Sequence, residues 1–170
     1  MSEKELVIKA QKGDVDAFCT LYGTYKNKLY NYAVYKLGNR EDAEDAVQNC
    51  VLSAYEQIGK LKKTDAFSSW IFRILYCSCA FYVKDQIQKR KTDDIDNYND
   101  LSSKNAEEFV VSQELNDALN KLSDDDKNIV LLSVVAGLRS KEIAQITGFT
   151  SVNVRQKLSR SLAKMKKELV

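Results

Sequence analysis

Histidine and proline are absent from the sequence, and glycine occurs only six times in 170 residues. Without histidine the chain lacks the usual general base at neutral pH, which excludes Ser/His/Asp and Cys/His catalytic arrangements and histidine-containing metal sites. Proline and glycine interrupt helices and form tight turns. Their scarcity therefore favours long helices over a sheet of short strands.

Long apolar runs are missing as well. No stretch approaches the roughly 20 apolar residues of a membrane span, and the opening, MSEKELVIKAQKGD, holds no apolar signal core. We therefore expect a cytoplasmic protein. The composition, 44% hydrophobic and 29% charged residues, is that of a soluble globular chain. Its length permits one ordinary domain or two small ones.

Charge is distributed unevenly along the chain. Residues 1–91 carry a net charge of +4, residues 92–126 carry −9, and residues 127–170 carry +7. Two basic ends around an acidic middle indicate that both ends meet a polyanion such as nucleic acid while the middle does not. The alternative is a mixed-charge surface in which the clustering is accidental.

The four cysteines, at positions 19, 50, 77 and 79, form no CxxC pair. Cys77 and Cys79 enclose a single residue and can be read as a fragment of a metal site, but they lie in an apolar, helical context. The preferred interpretation is that the cysteines are buried free thiols, which suits a reducing cytoplasm.

Apolar residues at spacings of three and four predict helices at about 3–11, 15–38, 39–59 and 67–91. Asn39 is a suitable N-cap for the third of them, whose first turns crowd acidic residues at the positive end of the helix dipole. A lysine-rich connection precedes the fourth. The first half of the chain is therefore predicted to be a bundle of long helices.

The helical pattern is lost at residues 92–106, which are polar and acidic and predict a flexible linker. Helical spacing returns from Phe109. Ser123, followed by three aspartates, is an N-cap signal for a helix that ends at Gly137. The sequence thus predicts an all-α protein of two small helical domains and a linker, with the bounds 1–91, 92–106 and 107–170.

The C-terminal stretch SKEIAQITGFTSVNVRQKLSRSLAKMKKEL has the features of a helix-turn-helix. Ser140 can cap a short helix, Ala144 is small enough for two helices to cross closely, and Gly148 can supply a left-handed turn. Either Thr150 or Ser151 then caps a second helix. The predicted buried line of that helix is Val154, Leu158, Leu162 and Met165.

The opposite face of the second helix has the chemistry of major-groove reading. Arginine can pair with guanine and glutamine or asparagine with adenine, while lysines hold phosphates. The alternative is the ordinary polar face of a helical hairpin. The residues predicted to meet duplex DNA are Ser140, Ser151, Asn153, Arg155, Gln156, Lys157, Ser159, Arg160 and Lys164.

The predicted helix 67–91 interleaves aromatic and basic residues. Trp70, Ile74 and Cys77 share one spacing and are predicted to face the core, where aromatic stripes at helical spacing usually lie. The position of the helix between KLKK and KRK nevertheless favours single-stranded nucleic acid, because cations hold phosphates while aromatic side chains receive unstacked bases. The residues predicted for this contact are Lys62, Lys63, Phe67, Arg73, Tyr76, Lys84, Lys89, Arg90 and Lys91.

An acidic cluster, Asp42, Glu44 and Asp45, is unsuited to DNA contact. It is either favourable charge at a helix start or a face for a basic protein partner. A divalent-ion site is disfavoured, because a third ligand and a phosphate-cradling loop are both lacking.

The order of these motifs resembles the extracytoplasmic-function (ECF) sigma factors of bacterial RNA polymerase. GDVDAFCTLYGTY, GNREDAEDAVQNCVLSAY, FSSWIFRI, KRK, an acidic linker and the helix-turn-helix follow one another along nearly the whole chain. The most specific pieces are EDAEDAVQ, the WIFRI run and the helix-turn-helix. The resemblance implies two helical domains, called region 2 and region 4, with no catalytic activity, no cofactor and no small-molecule substrate.

The resemblance also implies a role for each part. Asp42, Glu44, Asp45 and Gln48 would dock on the clamp helices of core RNA polymerase. The loop 60–67 and the helix 73–91 would melt and read the −10 promoter element, and the helix from Ser151 would enter the major groove of the −35 element. The linker would thread the polymerase channel. An anti-sigma factor, typically membrane-bound, would regulate the protein.

The sequence departs from the family pattern after WIFRI. Cys77 and Phe81 stand where the family commonly has Asn and then Asp, and the following residues hold fewer arginines than usual. These departures concern the −10 sequence preference and leave polymerase docking unaffected.

Other functions predict different sequence features. A free-standing helix-turn-helix regulator needs a dimer surface and related half-sites a helical turn apart. A purely protein-binding scaffold predicts no salt-dependent affinity for DNA. An enzyme is the weakest candidate, since no recognisable catalytic site is present.

Overall fold

The computed structural model describes residues 1–92 and 112–169, the side chains of residues 85–92 excepted. Within these ranges every regular element is a helix. The predicted linker beyond Thr92, and the predicted helical residue Phe109, lie outside the described residues. The helices form an N-terminal and a C-terminal group.

The N-terminal group contains four α-helices close to the predicted spans, and α2, α3 and α4 pack against one another. Their bounds are α1 Glu3–Gln11, α2 Val15–Leu37, α3 Arg40–Gln57 and α4 Phe67–Thr92. A 3-10 turn, Ile58–Lys60, extends α3.

The C-terminal group contains four shorter helices, of which α5, α6 and α7 each contact the last. Their bounds are α5 Gln113–Asn120, α6 Asp124–Val130, α7 Ser140–Thr147 and α8 Ser151–Leu169. A π-helical turn, Leu131–Val135, continues α6. The single helix predicted up to Gly137 is therefore wider in its second half.

Several predicted helix ends are confirmed. The side chain of Asn39 accepts a hydrogen bond from the N–H of Asp42 at 3.1 Å, and that of Ser123 accepts one from the N–H of Asp126 at 3.2 Å. Gly38 ends α2 in the left-handed conformation, with φ of 71°. These residues set where three of the helices begin or end.

The start of α7 differs from the prediction. Ser140 is the first helical residue rather than the cap, and the N–H of the preceding Arg139 donates to the carboxylate of Glu142 at 2.9 Å. Because Glu142 satisfies this donor, the serine hydroxyl is not required as a cap. At α8 the cap is Thr150, which accepts from the N–H of Asn153 at 3.1 Å.

The second half of α2 is buried on all sides. Residues 32–37 are buried at six successive positions, because α3 and α4 cover one side and the π turn covers another. The ring of Tyr32 meets that of Phe72 on α4 edge-on, at 6.2 Å between centroids. The two helical groups therefore share one hydrophobic core.

Polar contacts accompany this shared core. The hydroxyl of Tyr32 donates to the side-chain oxygen of Asn128 at 3.3 Å, and the N–H of Ser112 donates to the hydroxyl of Tyr35, also at 3.3 Å. Since buried polar groups must find partners, these bonds restrict how α2 can sit against the C-terminal group.

Two lysines lie buried where the groups meet. The side chain of Lys36 is 4% exposed and forms an ion pair with Asp124, whose side chain is 68% exposed. The ammonium of Lys127 donates to the side chain of Asn120 at 2.7 Å. Burial, and then the nearby Lys36, lowers the pKa of Lys127 to about 8, and Asp124 opposes this shift. Asp124 is thus the counter-charge near both lysines.

We expect Asp124→Asn to lower the free energy of unfolding by about 1–3 kcal/mol, because it leaves Lys36 buried without a counter-charge. Urea unfolding followed by circular dichroism measures this value. Asp125→Asn is the control, since it removes the same charge from the adjacent exposed position and should change stability by less than about 0.5 kcal/mol. Equal losses in the two variants would contradict a specific role for the ion pair.

Candidate nucleic-acid interfaces

α7 and α8 form the predicted helix-turn-helix. Gly148 follows α7 with φ of 88°, a conformation that favours glycine, and its N–H donates to the carbonyl of Ala144 at 2.8 Å. Beneath the turn, Ile143 and Val154 are almost completely buried and hold the two helices together. The turn therefore fixes α8 with one face turned to solvent.

The buried side of α8 differs from the prediction at one position. Leu162 is 40% exposed, whereas Ser161 is 3% exposed. The observed line steps from Val154 to Leu158, Ser161 and Met165, alternating four and three residues as a helix of 3.6 residues per turn requires. The predicted line took two steps of four and drifted off the buried face.

The outward side of α8, called here the recognition face, carries most of the residues predicted to meet duplex DNA. Cations and an amide project to solvent from it, as base and phosphate contacts require. Arg155, Gln156, Ser159, Arg160 and Lys164 are exposed, while Ser140, Ser151, Asn153 and Lys157 are half-buried.

Lys157 is held inside the C-terminal group. Its ammonium lies 5.1 Å from the centroid of the Phe149 ring and 4.0 Å from a carboxylate oxygen of Asp126. A lysine engaged by a ring face and a carboxylate must release both before it can reach a phosphate. Arg155 and Arg160, being exposed, have no such burial to give up.

The acidic residues of α3, with Gln48, form a second surface, called here the acidic face. Asp45 and Gln48 are exposed, whereas Asp42 and Glu44 are half-buried. Glu44 lies 3.5 Å from the guanidinium of Arg40. Among the side chains that the structure describes, no three Cys, Asp or Glu gather as a potential metal site. Asp45 and Gln48 are therefore the members best placed to meet a partner.

An exposed leucine extends the acidic face. Leu52 is 62% exposed and lies one helical turn beyond Gln48 and two beyond Asp45. The sequence analysis placed Leu52 on the apolar line of this helix. Its spacing from Asp45, seven residues, is the signal that would have assigned it to the outer side.

The residues predicted to contact single-stranded DNA fall into three groups. Lys62, Lys63, Arg73 and Lys84 are exposed and form what is called here the basic face. Phe67 and Tyr76 are covered by neighbouring helices to different degrees. The side chains of Lys89, Arg90 and Lys91 lie outside the described residues.

Phe67 differs from its predicted role. Its ring is 0% exposed and packs between Tyr25, at 5.4 Å, and Trp70, at 5.8 Å between ring centroids. A ring enclosed in this way cannot meet DNA in this structure. It anchors the start of α4 on α2 instead.

Tyr76 is half-buried and faces the C-terminal group. Burial, and then the carboxylates of Asp125 and Asp124, raises the pKa of its hydroxyl. The acidic start of α6 therefore lies close to this side of α4. Arg73 and Lys84 occupy a different, exposed side.

A pocket of about 510 Å³ opens between α3 and α4. Trp70, Ile74 and Cys77 were predicted to face the core, but they line this pocket, and Cys77 is exposed. The reason is that α3 packs against α4 beside this line rather than over it. The full lining is Ser53, Gln57, Trp70, Arg73, Ile74, Cys77 and Ser78.

The four cysteines are free but are not all buried. Cys50 and Cys79 are buried, as predicted, whereas Cys19 and Cys77 are exposed. Burial raises the pKa of both the Cys50 and the Cys79 thiol to about 12. The two pairs therefore differ in access and in reactivity.

An apolar groove of about 350 Å³ crosses the C-terminal group. Leu162 on α8 lies in it, together with Val134 of the π turn, which is 62% exposed. Apolar residues on both sides of the π turn were the sequence signal for a second apolar surface. Separately, no described helix is long and apolar enough to cross a membrane.

Family models match both helical groups. The model described as Sigma-70 region 2 matches residues 21–90, and the model described as Sigma-70, region 4 matches residues 112–165. The ECF RNA polymerase sigma factor SigW of Bacillus subtilis is 27% identical, with 99% of this chain and 97% of SigW covered. The ECF RNA polymerase sigma-E factor of Haemophilus influenzae is 27% identical, with 95% and 92% covered.

Two solved structures share the fold. The sigma factor RpoE of Bartonella quintana, in complex with the anti-sigma factor NepR, superposes with a TM-score of 0.73 at 21% identity, covering 89% of this chain and 96% of RpoE. CnrH, in complex with the cytosolic domain of CnrY, gives a TM-score of 0.72 at 20% identity, covering 98% and 96%. Both groups of helices thus have counterparts in known structures.

We expect an alkylating reagent at pH 8 to label Cys19 and Cys77 in the native protein and to label Cys50 and Cys79 only after unfolding, because the latter are buried and their raised pKa leaves almost no thiolate. Mass spectrometry of the peptides identifies the labelled sites. The Cys19→Ser/Cys77→Ser double variant is the control and should take up no label while folded. Rapid labelling of Cys50 in the native protein would contradict the described core.

Proposed function

We propose that this chain, which belongs to the extracytoplasmic-function (ECF) sigma factors of bacterial RNA polymerase, uses separate surfaces for the polymerase and for two promoter elements. As a sigma factor it binds core RNA polymerase and directs promoter-specific initiation of transcription. One observation carries the assignment of surfaces: the acidic face, the basic face and the recognition face all project to solvent from a single chain.

The acidic face docks on the polymerase. Asp45 and Gln48 make first contact, since both are exposed, and Asp42 and Glu44 lie beside them on α3. Complementary charge speeds association and fixes the register of two surfaces. A basic surface on the clamp helices of core polymerase is the partner that this charge fits.

The recognition face reads the −35 element as duplex DNA. An exposed helix with Arg155, Gln156 and Arg160 matches the width of the major groove and the hydrogen-bonding groups of guanine and adenine. Lys164, at the solvent side of the same helix, meets a phosphate and holds the register. Ser140 and Ser151 lie at the starts of α7 and α8, where backbone N–H groups also suit phosphate.

The basic face captures the melted −10 element. Lys62 and Lys63 in the loop before α4, with Arg73 and Lys84 on α4, supply cations along a path for single-stranded DNA. Lys89, Arg90 and Lys91 extend this set along the same helix. Unstacking bases costs a few kcal/mol each, which contacts with the captured strand offset.

The chain divides into region 2 at 1–91, a linker at 92–106 that threads the polymerase channel, and region 4 at 107–170. Sigma factors are non-catalytic initiation factors, and this chain supplies recognition while the polymerase supplies the chemistry. A free-standing helix-turn-helix regulator is not favoured, because region 2 and region 4 models match the same chain.

An anti-sigma factor controls the protein. Complexes of RpoE with NepR and of CnrH with the cytosolic domain of CnrY support this proposal. The term cytosolic domain, used for CnrY, fits an anti-sigma factor that is also anchored in a membrane. We place the sigma factor in the cytoplasm, at the inner face of the membrane when it is held by such a partner.

We expect Asp45→Lys to weaken binding to core polymerase by about tenfold or more, because it sets a cation against a basic surface. Direct binding to core is measured beside run-off transcription from the promoter upstream of the protein's own gene. Asp16→Lys, a reversal at an exposed position on α2, is the control and should bind normally. Failure of the unmodified protein to bind core would contradict the sigma function, and normal binding by Asp45→Lys would contradict the docking face.

Two substitutions in α8 should have different effects on binding of the holoenzyme to −35 duplex DNA. Arg155→Ala should cost about 1–3 kcal/mol and relax base preference at one position. Lys164→Ala should weaken binding to all sequences and reduce the slope of log K against log salt by about 1. Fluorescence anisotropy at several salt concentrations separates the two effects. Identical behaviour of the two variants would contradict the assigned roles.

A further inference from the structure

Phe81 is an exposed aromatic residue on the outer side of α4. Its side chain is 67% exposed, more than Leu52 or Tyr55 on α3. A single exposed apolar residue is common on protein surfaces. The neighbours of Phe81 are what give it a function.

The ring of Phe81 is held in place by a second ring. Phe81 and Tyr82 meet edge-on, with centroids 5.8 Å apart and planes at 87°. The hydroxyl of Tyr82 accepts a hydrogen bond from the side-chain amide of Asn49, on α3, at 3.0 Å. Two helices therefore position the Phe81 ring before any ligand arrives, which lowers the entropy lost on binding.

Positive charge lies on either side of the ring. Arg73, Cys77 and Phe81 are spaced by four residues and form one ridge of α4, which extends about 12 Å along the axis. Lys84 is three residues beyond, and all four side chains are exposed. A ring between cations is the arrangement that binds single-stranded nucleic acid, since the cations hold phosphates and the ring stacks on a base.

The pocket between α3 and α4 lies one turn along the same ridge. Arg73 and Cys77 form part of its wall, and Ser53, Gln57 and Ser78 supply hydrogen-bonding groups. Polar, uncharged groups of this kind can pair with the edge of an unstacked base. Pocket and ring are thus placed to receive neighbouring nucleotides of one strand.

We infer that Phe81 is a base-stacking residue for the melted promoter strand, and that the nucleotide next to the stacked one enters the Ser53–Gln57–Cys77 pocket. This inference rests on the proposed sigma function and adds a site to it. Phe81 stands where the family commonly has aspartate, so the ring replaces a charge that would repel a phosphate backbone. The ligand class is single-stranded DNA.

The test compares Phe81→Leu, which keeps an apolar side chain but removes the ring, with Phe81→Tyr, which keeps the ring. Holoenzyme formed with each variant is titrated with single-stranded DNA carrying the −10 region of the promoter upstream of the protein's own gene. We expect Phe81→Leu to weaken binding about 5- to 100-fold and Phe81→Tyr to remain within about twofold of the original. Because position 81 is exposed, both variants should fold, which circular dichroism checks.

Thiol protection provides an independent readout. The same DNA, bound to unmodified holoenzyme, should slow alkylation of Cys77 in the pocket and leave alkylation of the exposed Cys19 unchanged relative to holoenzyme without DNA. Cys19 is therefore an internal control in the same molecule.

The outcomes separate this inference from the proposed function. Unchanged DNA binding by Phe81→Leu, or equal alkylation of Cys77 with and without DNA, would overturn the inference while the sigma function stands. Loss of core binding by Phe81→Leu would also overturn it, by making Phe81 a protein-contact residue. If unmodified protein forms no holoenzyme with core, the sigma function itself fails and the inference fails with it.

Discussion

Burial of the second half of α2 on all sides is the constraint on which the rest of the structure depends. A helix with one apolar face needs one partner layer, whereas a helix buried all round needs partners on opposite sides. Residues 32–37 meet this condition only because α3 and α4 lie on one side and the π turn on another. The two helical groups are joined by this shared helix as well as by the chain.

The shared core also decides which functional side chains are free. Asp45, Arg73 and Arg155 lie on surfaces that the contact between the groups leaves exposed. Tyr76 and Lys157, in contrast, both lie near the acidic start of α6. Residues assigned to DNA thus divide into those already accessible and those close to the protein's own carboxylates.

Features set by neighbouring residues could be predicted from the sequence. Asn39 and Ser123 act as caps because a cap depends on the three residues that follow it, and Gly148 follows from one turn. Features set by distant partners could not. Phe67 resembles a free aromatic residue beside lysines, yet Tyr25 on α2 encloses it, and nothing local indicates that Lys36 will be buried beneath the other half of the chain.

The recognition surfaces were predictable in kind and less so in detail. Helical periodicity identifies a face to within about one residue, which is why Ser161 and Leu162 exchange places. Cys77 shares its spacing with core residues, and only the position of α3 decides that it borders a pocket. A sequence pattern predicts the faces of a helix, whereas its neighbours determine which of them is covered.

The contact made by Tyr32 and Lys36 joins two parts of one molecule, so mass action applies to it differently from a contact between two proteins. Covalently joined sites meet at an effective concentration of about a millimolar. Even an association with a millimolar dissociation constant would then be closed about half of the time. This concentration does not change with the amount of protein in the cell, so a partner that draws the two groups apart competes against a fixed opponent.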